Sequence, residues 1–474
     1  MMYLVRLCGE IALKSRRTRW RFEKRLVGNL EDALKRFGVK NHNLRLEDGR
    51  IFIEGPDGIE GIVKRVFGIH SVSKVYHVRF KDLNDLASKA EKYFKGFVKG
   101  KKFAVRTHRV GVHGFTSIDV NKEVGARLKP YSAGVDLNNP DVTTYIEVRG
   151  RDAYFFTDII RGYDGLPIGV EGTTLLLFSG GFDSPVAAWL LARRGIEVHF
   201  LHYVLTSQSS IIAAYRVAKY LTDNWLFGYE PMFYVIDLRS AVAEIINYVR
   251  SDYRQVVLRK IMYMVADKLR ERLGFDSLAT GESVGQASSQ TLKNLVATEE
   301  GIKSLILRPL TAMNKEEIMR LSKEIGTYEL SSDVVEYCTI SVGPVATRAH
   351  KVILEKELSK VRKELIDKAL NDLITINLVK DPPSKLKELT NIEIDFIPSD
   401  ALVIDARSIE EYRKWHYEGA IHISQLNISA LPKDKAIIIY CSHGDISSLF
   451  AKLLRDKGYL AYSLKGGINK LRRD

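Results

Sequence analysis

The segment that decides the fold is Ser179-Gly180-Gly181-Phe182-Asp183-Ser184, which directly follows the apolar residues 175–178. A helical pattern at residues 186–194 comes next, so the segment joins the end of a buried strand to the start of a helix. Glycines and serines at a helix N-terminus let backbone N–H groups close around a phosphate. Because no Gly-Lys-Ser or Gly-Lys-Thr follows, the loop is not of the Walker type. We predict that it binds the pyrophosphate part of a nucleotide, with Asp183 helping to hold Mg²⁺.

The sequence on both sides of this loop predicts an open parallel sheet. From residue 173 onward the pattern alternates strand, loop and helix, and further buried strands fit residues 197–201, 232–236 and 277–279. We also predict one long helix at residues 347–373, followed by a linker at Lys380-Asp381-Pro382-Pro383-Ser384.

Two further α/β regions flank this sheet. In the N-terminal region we predict helices at residues 19–37, 83–94 and 118–128 and strands at residues 3–8, 50–54, 103–106, 144–148 and 153–157. A linker fits residues 167–172. In the C-terminal region we predict strands at residues 402–405, 436–440 and 461–463.

Charge distinguishes the N-terminal third from the rest of the chain. The 474 residues carry a net charge of +14; residues 1–170 hold 32 Lys and Arg against 20 Asp and Glu, whereas residues 171–474 hold 40 against 38. Seven basic side chains lie within residues 14–25. Such a cluster attracts polyanions through counterion release, or it is a solvated helix face; the uneven split favours RNA or DNA. The aromatic residues of this region either stack on bases or, as we expect for most of them, pack in the core: Trp20, Phe22, Phe103 and Phe115.

The composition is that of a folded, water-soluble protein. It is 45% hydrophobic and 27% charged, which excludes disordered and fibrous classes. No apolar run approaches the roughly 18 residues that a membrane helix needs. Arg6 and Glu10 interrupt the N-terminus too early for a signal peptide. We therefore expect a cytoplasmic protein without a membrane partner.

The three cysteines, Cys8, Cys338 and Cys441, are too few for a disulfide framework, and neither a Cys-x-x-Cys pair nor zinc-ligand spacing occurs. Cys441 follows the apolar residues 436–440 and precedes Ser442-His443-Gly444-Asp445. A cysteine between a strand and a helix N-terminus faces free N–H groups, which favour the reactive thiolate and can hold a persulfide anion. The alternative is a small buried hydrophobe. Cys338, taken alone, fits a buried inert thiol, and Cys8 fits core packing.

Further motifs surround the loop at residues 179–184, which is itself similar to the pyrophosphatase loop of enzymes that activate a substrate by adenylation. These motifs are Gly9-Glu10-Ile11-Ala12-Leu13-Lys14, Gly281-Glu282-Ser283-Val284-Gly285-Gln286, Ser289-Gln290-Thr291, Arg308-Pro309-Leu310, Lys315-Glu316-Glu317 and Glu336-Tyr337-Cys338. Together they resemble the tRNA 4-thiouridine synthetase family, in the expected order and over essentially the whole chain.

The resemblance implies an α/β multidomain protein. Its expected parts are a ferredoxin-like α+β unit at residues 1–60, a THUMP RNA-binding domain at 61–166, an adenine-nucleotide hydrolase-like PP-loop domain with a parallel sheet at 173–378, a linker at 379–398 and a rhodanese-like sulfur-carrier domain at 399–474.

The resemblance also implies site residues by position. The expected nucleotide-binding residues are Leu177, Phe178, Ser179, Gly180, Gly181, Ser184, His202, Tyr203, Arg259, Gly281 and Gln290. Asp183 and Lys315 match the acid and base that the family links to adenylation, although Lys315 also fits a surface residue in the first turn of a helix capped by Asn314. Cys441 would carry a persulfide, and Cys338 would resolve it through a Cys338–Cys441 disulfide.

The activity that the resemblance implies is ATP-dependent sulfur transfer to the uridine at position 8 of tRNA, with ATP and Mg²⁺ as cofactors and a cysteine desulfurase as sulfur donor. An alternative acceptor is a small carrier protein for thiamine thiazole synthesis. Two other classes stay open: an amide-forming ligase built on the same loop, which would not need Cys338 and Cys441, and a tRNA-binding protein without catalysis. A homodimer is also left open.

Overall fold

The computed structural model describes residues 1–206, 209–334, 345–385 and 392–471. The chain divides into two compact units, of which the first comprises residues 1–170 with 193–195 and the second residues 171–192 with 196–474. No helix within the described ranges is long and apolar enough to cross a membrane.

The first unit is one mixed sheet with helices packed on it. Its strands are β1 (Met2–Leu7), β2 (Asn43–Glu47), β3 (Arg50–Glu54), β4 (Ile69–Arg79), β5 (Lys102–Val110), β6 (Gly134–Val135), β7 (Val142–Arg149), β8 (Asp152–Phe156) and β9 (Ile160–Arg161). Its helices are α1 (Gly9–Ala12), α2 (Arg16–Arg36), α3 (Glu60–Val63), α4 (Leu83–Val98) and α5 (Ser117–Leu128). The strand order is β2-β3-β1-β4-β8-β7-β5-β6, with β9 also pairing with β4.

Strand β4 makes this sheet continuous. Its first residues pair with β1, and its last four, residues 76–79, pair with β8. The regions that the sequence predicts as a ferredoxin-like unit and a THUMP domain therefore share one sheet through a single long strand.

Helix α2 shows why the basic cluster does not prevent folding. Phe22, Leu26 and Leu30 recur every four residues and are buried, so the helix has one apolar face toward the sheet. The basic side chains of the first turns occupy the other positions and are mostly exposed.

The second unit begins with a six-stranded sheet whose strands are β10 (Thr173–Leu177), β11 (Glu197–Val204), β12 (Met232–Asp237), β13 (Ser277–Ala279), β14 (Ile306–Leu307) and β15 (Ile374–Asn377). Its helices are α6 (Asp183–Arg193), α7 (Ser209–Asn224), α8 (Arg239–Tyr248), α9 (Arg254–Leu273), α10 (Leu292–Glu299), α11 (Lys315–Ile325), α12 (Tyr328–Ser332), α13 (Lys351–Leu358) and α14 (Lys363–Asn371). The order is β14-β13-β10-β11-β12-β15. All pairs are parallel, as predicted, except the edge strand β15, which runs antiparallel to β12.

The prediction of one helix over residues 347–373 is wrong, because the chain leaves the helix between α13 and α14. Val361 is buried in the core at this break. Arg362 has an extended backbone, and its N–H donates to Glu244 Oε2 at 2.9 Å. Burial of Val361 and the carboxylate of Glu244 thus stabilise the break against the helical pattern of the sequence.

The second unit ends with a smaller parallel sheet in the order β16-β20-β19-β17-β18. Its strands are β16 (Glu393–Ile394), β17 (Leu402–Asp405), β18 (Ile421–His422), β19 (Ile437–Tyr440) and β20 (Ala461–Leu464), and its helices are α15 (Ile409–Lys414), α16 (Asp445–Asp456) and α17 (Ile468–Leu471). Along β19, Ile437 and Ile439 join one apolar cluster, and Ile438 and Tyr440 join another. A strand buried on both faces explains the uninterrupted apolar run before Cys441.

Candidate active site

The hydroxyls of two serines bind the backbone of the loop between β10 and α6. The N–H of Gly180 donates to Ser184 Oγ at 3.1 Å, and the N–H of Gly181 donates to Ser179 Oγ at 3.3 Å. Gly180 has a φ of +86°, and a Cβ there would lie 2.7 Å from Ala214 Cα. A glycine is therefore required at this position both by the backbone conformation and by the close approach of α7.

A second glycine lets the neighbouring strand approach the loop. Gly281 follows β13, and a Cβ there would lie 2.9 Å from the backbone nitrogen of Ser184. The chain after β13 thus packs directly against the first residues of α6, with no side chain between them.

The loop borders a cavity of about 550 Å³. The structure brings together at this cavity ten of the residues that the sequence singles out: Leu177, Phe178, Ser179, Asp183, Ser184, His202, Tyr203, Arg259, Gly281 and Gln290. Gly180 and Gly181 form the loop backbone beside the cavity, and Lys315 contacts Asp183. Cys441 belongs to the smaller sheet.

His202 fixes the ends of β10 and β11 as a neutral side chain. Its Nδ1 donates to the carbonyl of Phe178 at 3.0 Å, and its Nε2 lies 3.2 Å from Ser210 Oγ. Burial lowers the pKa of His202 to about 4, although the Phe178 carbonyl acts in the opposite direction. Next to it, Tyr203 donates to the Met262 carbonyl at 2.7 Å, and burial raises its pKa. These two side chains shape the cavity and do not carry charge near neutral pH.

Glu282 is a site residue to which the sequence analysis assigns no role, although it lies in a motif quoted above. Its carboxylate is buried and accepts hydrogen bonds from Arg259, from Tyr263 at 2.5 Å and from Arg308 at 2.8 Å. Arg259 also donates to Ser289 Oγ at 3.1 Å. Arg308 also pairs with Glu299, so two guanidinium groups and two carboxylates balance in this cluster. Arg259 lines the cavity, where its guanidinium is placed to bind phosphate oxygens.

Asp183 bridges two polar side chains from different segments. Lys315 Nζ donates to Asp183 Oδ1, and Gln286 Nε2 donates to Asp183 Oδ2, both at 2.8 Å. Lys315 is the first residue of α11, and Asn314 caps that helix, so the position in the first turn does not prevent contact with the loop. The side chain of Lys315 is 42% exposed and can reach a ligand in the cavity. Gln286 is the second residue that sequence reasoning missed.

These contacts also bear on where Mg²⁺ can bind. Both oxygens of Asp183 already accept hydrogen bonds, and no group of three or more His, Cys, Asp and Glu with metal-ligand geometry occurs in the part of the chain that the structure describes. One carboxylate beside a phosphate loop fits Mg²⁺ that arrives with its nucleotide and keeps most of its ligands from phosphate and water.

The Cys441 loop repeats the strand, glycine and helix arrangement at the end of β19. The N–H of Gly444 donates to Cys441 Sγ at 3.1 Å, and Ser447 Oγ lies 3.4 Å from the same sulfur. Ser447 is in turn 2.8 Å from Ser463 Oγ. Cys441 is 3% exposed. Cys441 is therefore buried, as expected for the alternative interpretation of a small buried hydrophobe. Its sulfur nevertheless accepts a hydrogen bond from a backbone N–H, which suits a thiolate or persulfide.

Of the other two cysteines, the structure describes Cys8 but not Cys338. Cys8 is buried, as expected for packing. Cys338 lies outside the described residues. Val334, four residues before it in the sequence, lines the cavity beside the loop at residues 179–184.

The basic N-terminal region offers a candidate nucleic-acid surface. On α2, Arg16, Arg17 and Arg21 are exposed. Trp20 is 60% exposed, with Lys24 Nζ 5.2 Å from its ring centre. Phe22 and Phe103 are buried, which matches the packing expected for most aromatic residues of this region. Phe115 is partly buried and packs against the same core as Phe103. Trp20, in contrast, is available to stack on a base.

Four family models match consecutive parts of the chain. The family described as "Thiamine biosynthesis protein (ThiI)" matches residues 169–363, and the ThiI ferredoxin-like domain matches residues 2–73. The THUMP domain matches residues 80–158, and the rhodanese-like domain matches residues 386–474. These matches confirm the four kinds of domain predicted from the sequence.

Relatives match over nearly the whole chain. The tRNA sulfurtransferase of Desulfurococcus amylolyticus is 44% identical over 472 residues, which cover 99% of this chain and 98% of that protein. The tRNA sulfurtransferase of Pyrobaculum aerophilum is 39% identical and covers 96% of this chain and 95% of its own. A solved 4-thiouridine synthetase in complex with RNA and ATP is 30% identical, with a TM-score of 0.70 over 79% of this chain and 98% of that one. This chain belongs to the tRNA sulfurtransferase family.

Proposed function

We propose that this chain is a tRNA uridine 4-sulfurtransferase, which adenylates the uridine at position 8 of tRNA and replaces its O4 with sulfur. One observation carries the proposal. A single chain joins the glycine-rich loop at residues 179–184, whose Asp183 contacts Lys315, to a second loop in which the N–H of Gly444 donates to the Cys441 sulfur. The family to which the chain belongs supports the same reaction.

The first half of the reaction takes place at the nucleotide cavity. ATP binds as its magnesium complex with its phosphates at the loop. O4 of the uracil attacks the α-phosphorus, the bond to the bridging oxygen breaks, and pyrophosphate leaves. Lys315 stabilises the negative charge that builds on the α-phosphate, and Asp183 orients Lys315 and is the carboxylate available for the uracil N3 proton. Adenylation turns O4 into part of a good leaving group, AMP.

The second half uses the Cys441 sulfur. A cysteine desulfurase transfers a sulfur atom to Cys441 and leaves it as a persulfide. The terminal sulfur attacks C4, AMP leaves, and a disulfide joins C4 to Cys441 through the transferred sulfur. The Cys338 thiolate then attacks Cys441 Sγ, which releases the C4 thiocarbonyl and forms a Cys338–Cys441 disulfide. A dithiol reductant supplies two electrons and two protons and restores both thiols.

The partner that the N-terminal unit suits is folded RNA. Exposed arginines and Trp20 on α2 contact phosphates and bases, and the position of the target nucleoside in tRNA is read by shape. The solved relative bound to RNA supports this assignment.

The test supplies each candidate acceptor separately. The purified protein is incubated with ATP, Mg²⁺, cysteine, a cysteine desulfurase, a dithiol and unmodified tRNA, and the digested RNA is analysed by mass spectrometry. We expect 4-thiouridine at position 8. Pyrophosphate release without thionucleoside would contradict the assigned acceptor, and a small carrier protein with a free C-terminus would then replace tRNA in the same assay. A protein that binds tRNA without releasing pyrophosphate would contradict the enzyme assignment.

A further inference from the structure

A buried interface joins the part that carries Cys441 to the nucleotide-binding part. Helix α16 begins four residues after Cys441 and packs against α8, which begins two residues after β12 ends. Leu449 of α16 belongs to the same buried apolar cluster as Val242 and Ile245 of α8. The two parts therefore share a core at this place.

Arg239 is the polar centre of this interface. It is 2% exposed, and its guanidinium donates to both carboxylate oxygens of Asp237, at 2.9 and 2.6 Å. The remaining terminal nitrogen donates to Ser448 Oγ of α16 at 2.6 Å. A buried arginine is costly unless its donors are satisfied, so this contact requires one particular placement of α16.

A second set of contacts holds the other end of α16. The Asp456 carboxylate accepts hydrogen bonds from Ser240 of α8, from Lys368 of α14 and from Lys452 at 2.9 Å. Burial raises the pKa of Asp456, but the three hydrogen bonds outweigh burial and lower it overall. The helix that follows the Cys441 loop is thus fixed near both of its ends.

The interface lies at the edge of the sheet that also carries the nucleotide cavity. Strands β10, β11 and β12 are parallel neighbours, so their carboxyl ends meet at one edge. The phosphate loop follows β10, whereas Asp237 ends β12, two strands away, and Arg239 follows it. At the usual strand spacing this separation is roughly 10 Å. Ser448, which binds Arg239, is adjacent to Ser447, whose hydroxyl lies 3.4 Å from Cys441 Sγ.

Docking at this edge leaves the outer side of the Cys441 loop open. His443 is exposed, and Ile446 is 44% exposed. A protein that donates sulfur can therefore contact these two residues while α16 is docked, whereas Cys441 itself is buried.

We propose that Asp237, Arg239 and Ser448 form a docking latch, which places the Cys441 loop at the carboxyl edge of the nucleotide-binding sheet for sulfur transfer. The three are positioning residues that act through α16. The proposal rests on the sulfur-carrier role of Cys441 given above. The proposal adds the surface against which the domain that contains Cys441 docks, and the residues that orient this domain.

The test disrupts the latch from the side of the carrier domain. Ser448→Lys places an ammonium group against the buried guanidinium of Arg239 and leaves the Asp237–Arg239 pair intact. Ser429→Lys is the matched control, because it makes the same substitution at an exposed serine of the same domain. Arg239→Met, which removes the guanidinium and retains a long side chain, tests the other side.

Three readouts separate the latch from the rest of the chemistry. Pyrophosphate release with ATP and unmodified tRNA reports on adenylation, mass spectrometry of the protein reports on Cys441 persulfide, and a single turnover of preloaded protein reports on 4-thiouridine. In Ser448→Lys we expect unchanged pyrophosphate release and persulfide, with thiouridine formation slowed about tenfold or more. The loss is not complete, because the chain still tethers the carrier domain at high effective concentration. Ser429→Lys should behave as the unsubstituted protein.

Either of two results would overturn the latch while the proposed function stands. Thiouridine formation that is unchanged in both Ser448→Lys and Arg239→Met would show that the interface does not position sulfur. An increased rate would show that the interface holds the carrier domain away from its target. If the unsubstituted, preloaded protein makes no 4-thiouridine, the proposed function fails, and the role of the latch fails with it.

Discussion

The loop after β10 and the loop after β19 share one backbone arrangement but differ in what their N–H groups bind. Each joins a parallel strand to a helix through a glycine with positive φ, Gly180 at +86° and Gly444 at +107°. The first loop directs its N–H groups to serine hydroxyls and opens to the nucleotide cavity. In the second, the N–H of Gly444 donates to the sulfur of a buried cysteine. Under the proposed function, the first loop binds a ligand that is exchanged in each reaction cycle, and the second holds a sulfur atom that is carried on the protein.

The largest predicted effect comes from removal of the Cys441 sulfur. Cys441→Ala should reduce 4-thiouridine formation by at least about 10³-fold, because the substitution removes the proposed sulfur carrier. Pyrophosphate release should be unchanged, since the first loop is intact. Both are measured in the same reaction mixture. Cys8→Ala is the control, because Cys8 is also a buried free cysteine and should be dispensable. Normal thiouridine formation by Cys441→Ala would contradict the account.

The corresponding change at the first loop is Asp183→Asn. We expect a loss of about 10²–10³-fold in pyrophosphate release, because Lys315 loses the carboxylate that orients it. Thiouridine formation should fall in parallel, whereas persulfide loading of Cys441 should not change. Asp252→Asn removes a partly exposed carboxylate that pairs with Arg250 and serves as control. Equal rates for Asp183→Asn and the control would exclude the assigned role.

Substitution of alanine for the glycine in each loop should destabilise the protein by different amounts. In Gly180→Ala the new Cβ would overlap the α7 backbone, so we expect roughly 3 kcal/mol or more of destabilisation and a raised KM for ATP. In Gly444→Ala the nearest atom lies 3.6 Å away, so the backbone conformation alone costs about 1–2 kcal/mol. Gly274→Ala, with positive φ and no neighbour within 4 Å, is the control for backbone strain. Urea unfolding measures all three, and equal effects at Gly180 and Gly274 would refute the packing argument.

The smallest predicted effect near neutral pH is a pH dependence of stability that arises beside the first loop. Because burial holds the pKa of His202 near 4, below the value of about 6.5 in the unfolded chain, its stabilising contribution is complete above pH 6.5. It is lost as the pH falls toward 4, with a loss below about 1 kcal/mol at pH 6. Urea unfolding at pH 7, 6 and 5 should show this decline, and His202→Gln should reduce it. An NMR titration that gives His202 an ordinary pKa would contradict the prediction.

The sequence was most informative where local pattern and chemistry coincide. A strand, a glycine-rich loop and a helix start predicted the parallel sheet around Ser179, and the motifs predicted the family; both are confirmed. The roles of the individual site residues and the domain boundaries remain predictions. Lys315 illustrates why local sequence leaves two interpretations open, since the residue is both in the first turn of a capped helix and in contact with Asp183.

Tertiary contacts account for what the sequence did not predict. The helix predicted over residues 347–373 breaks because Val361 is buried and Glu244 binds the backbone of Arg362 from 118 residues away. Glu282 and Gln286 gain their roles from partners in other segments. The Arg239–Ser448 contact joins residues 209 positions apart. No local pattern marks such pairs.

The most direct test of the central claim, that the two loops perform successive halves of one reaction, follows the carried atom. Cys441 is loaded with radioactive sulfur, the donor is removed, and unmodified tRNA is added with or without ATP and Mg²⁺. The account predicts that the label moves from the protein to 4-thiouridine only when ATP is present. Label that stays on the protein with ATP, or that reaches the tRNA without ATP, would contradict it.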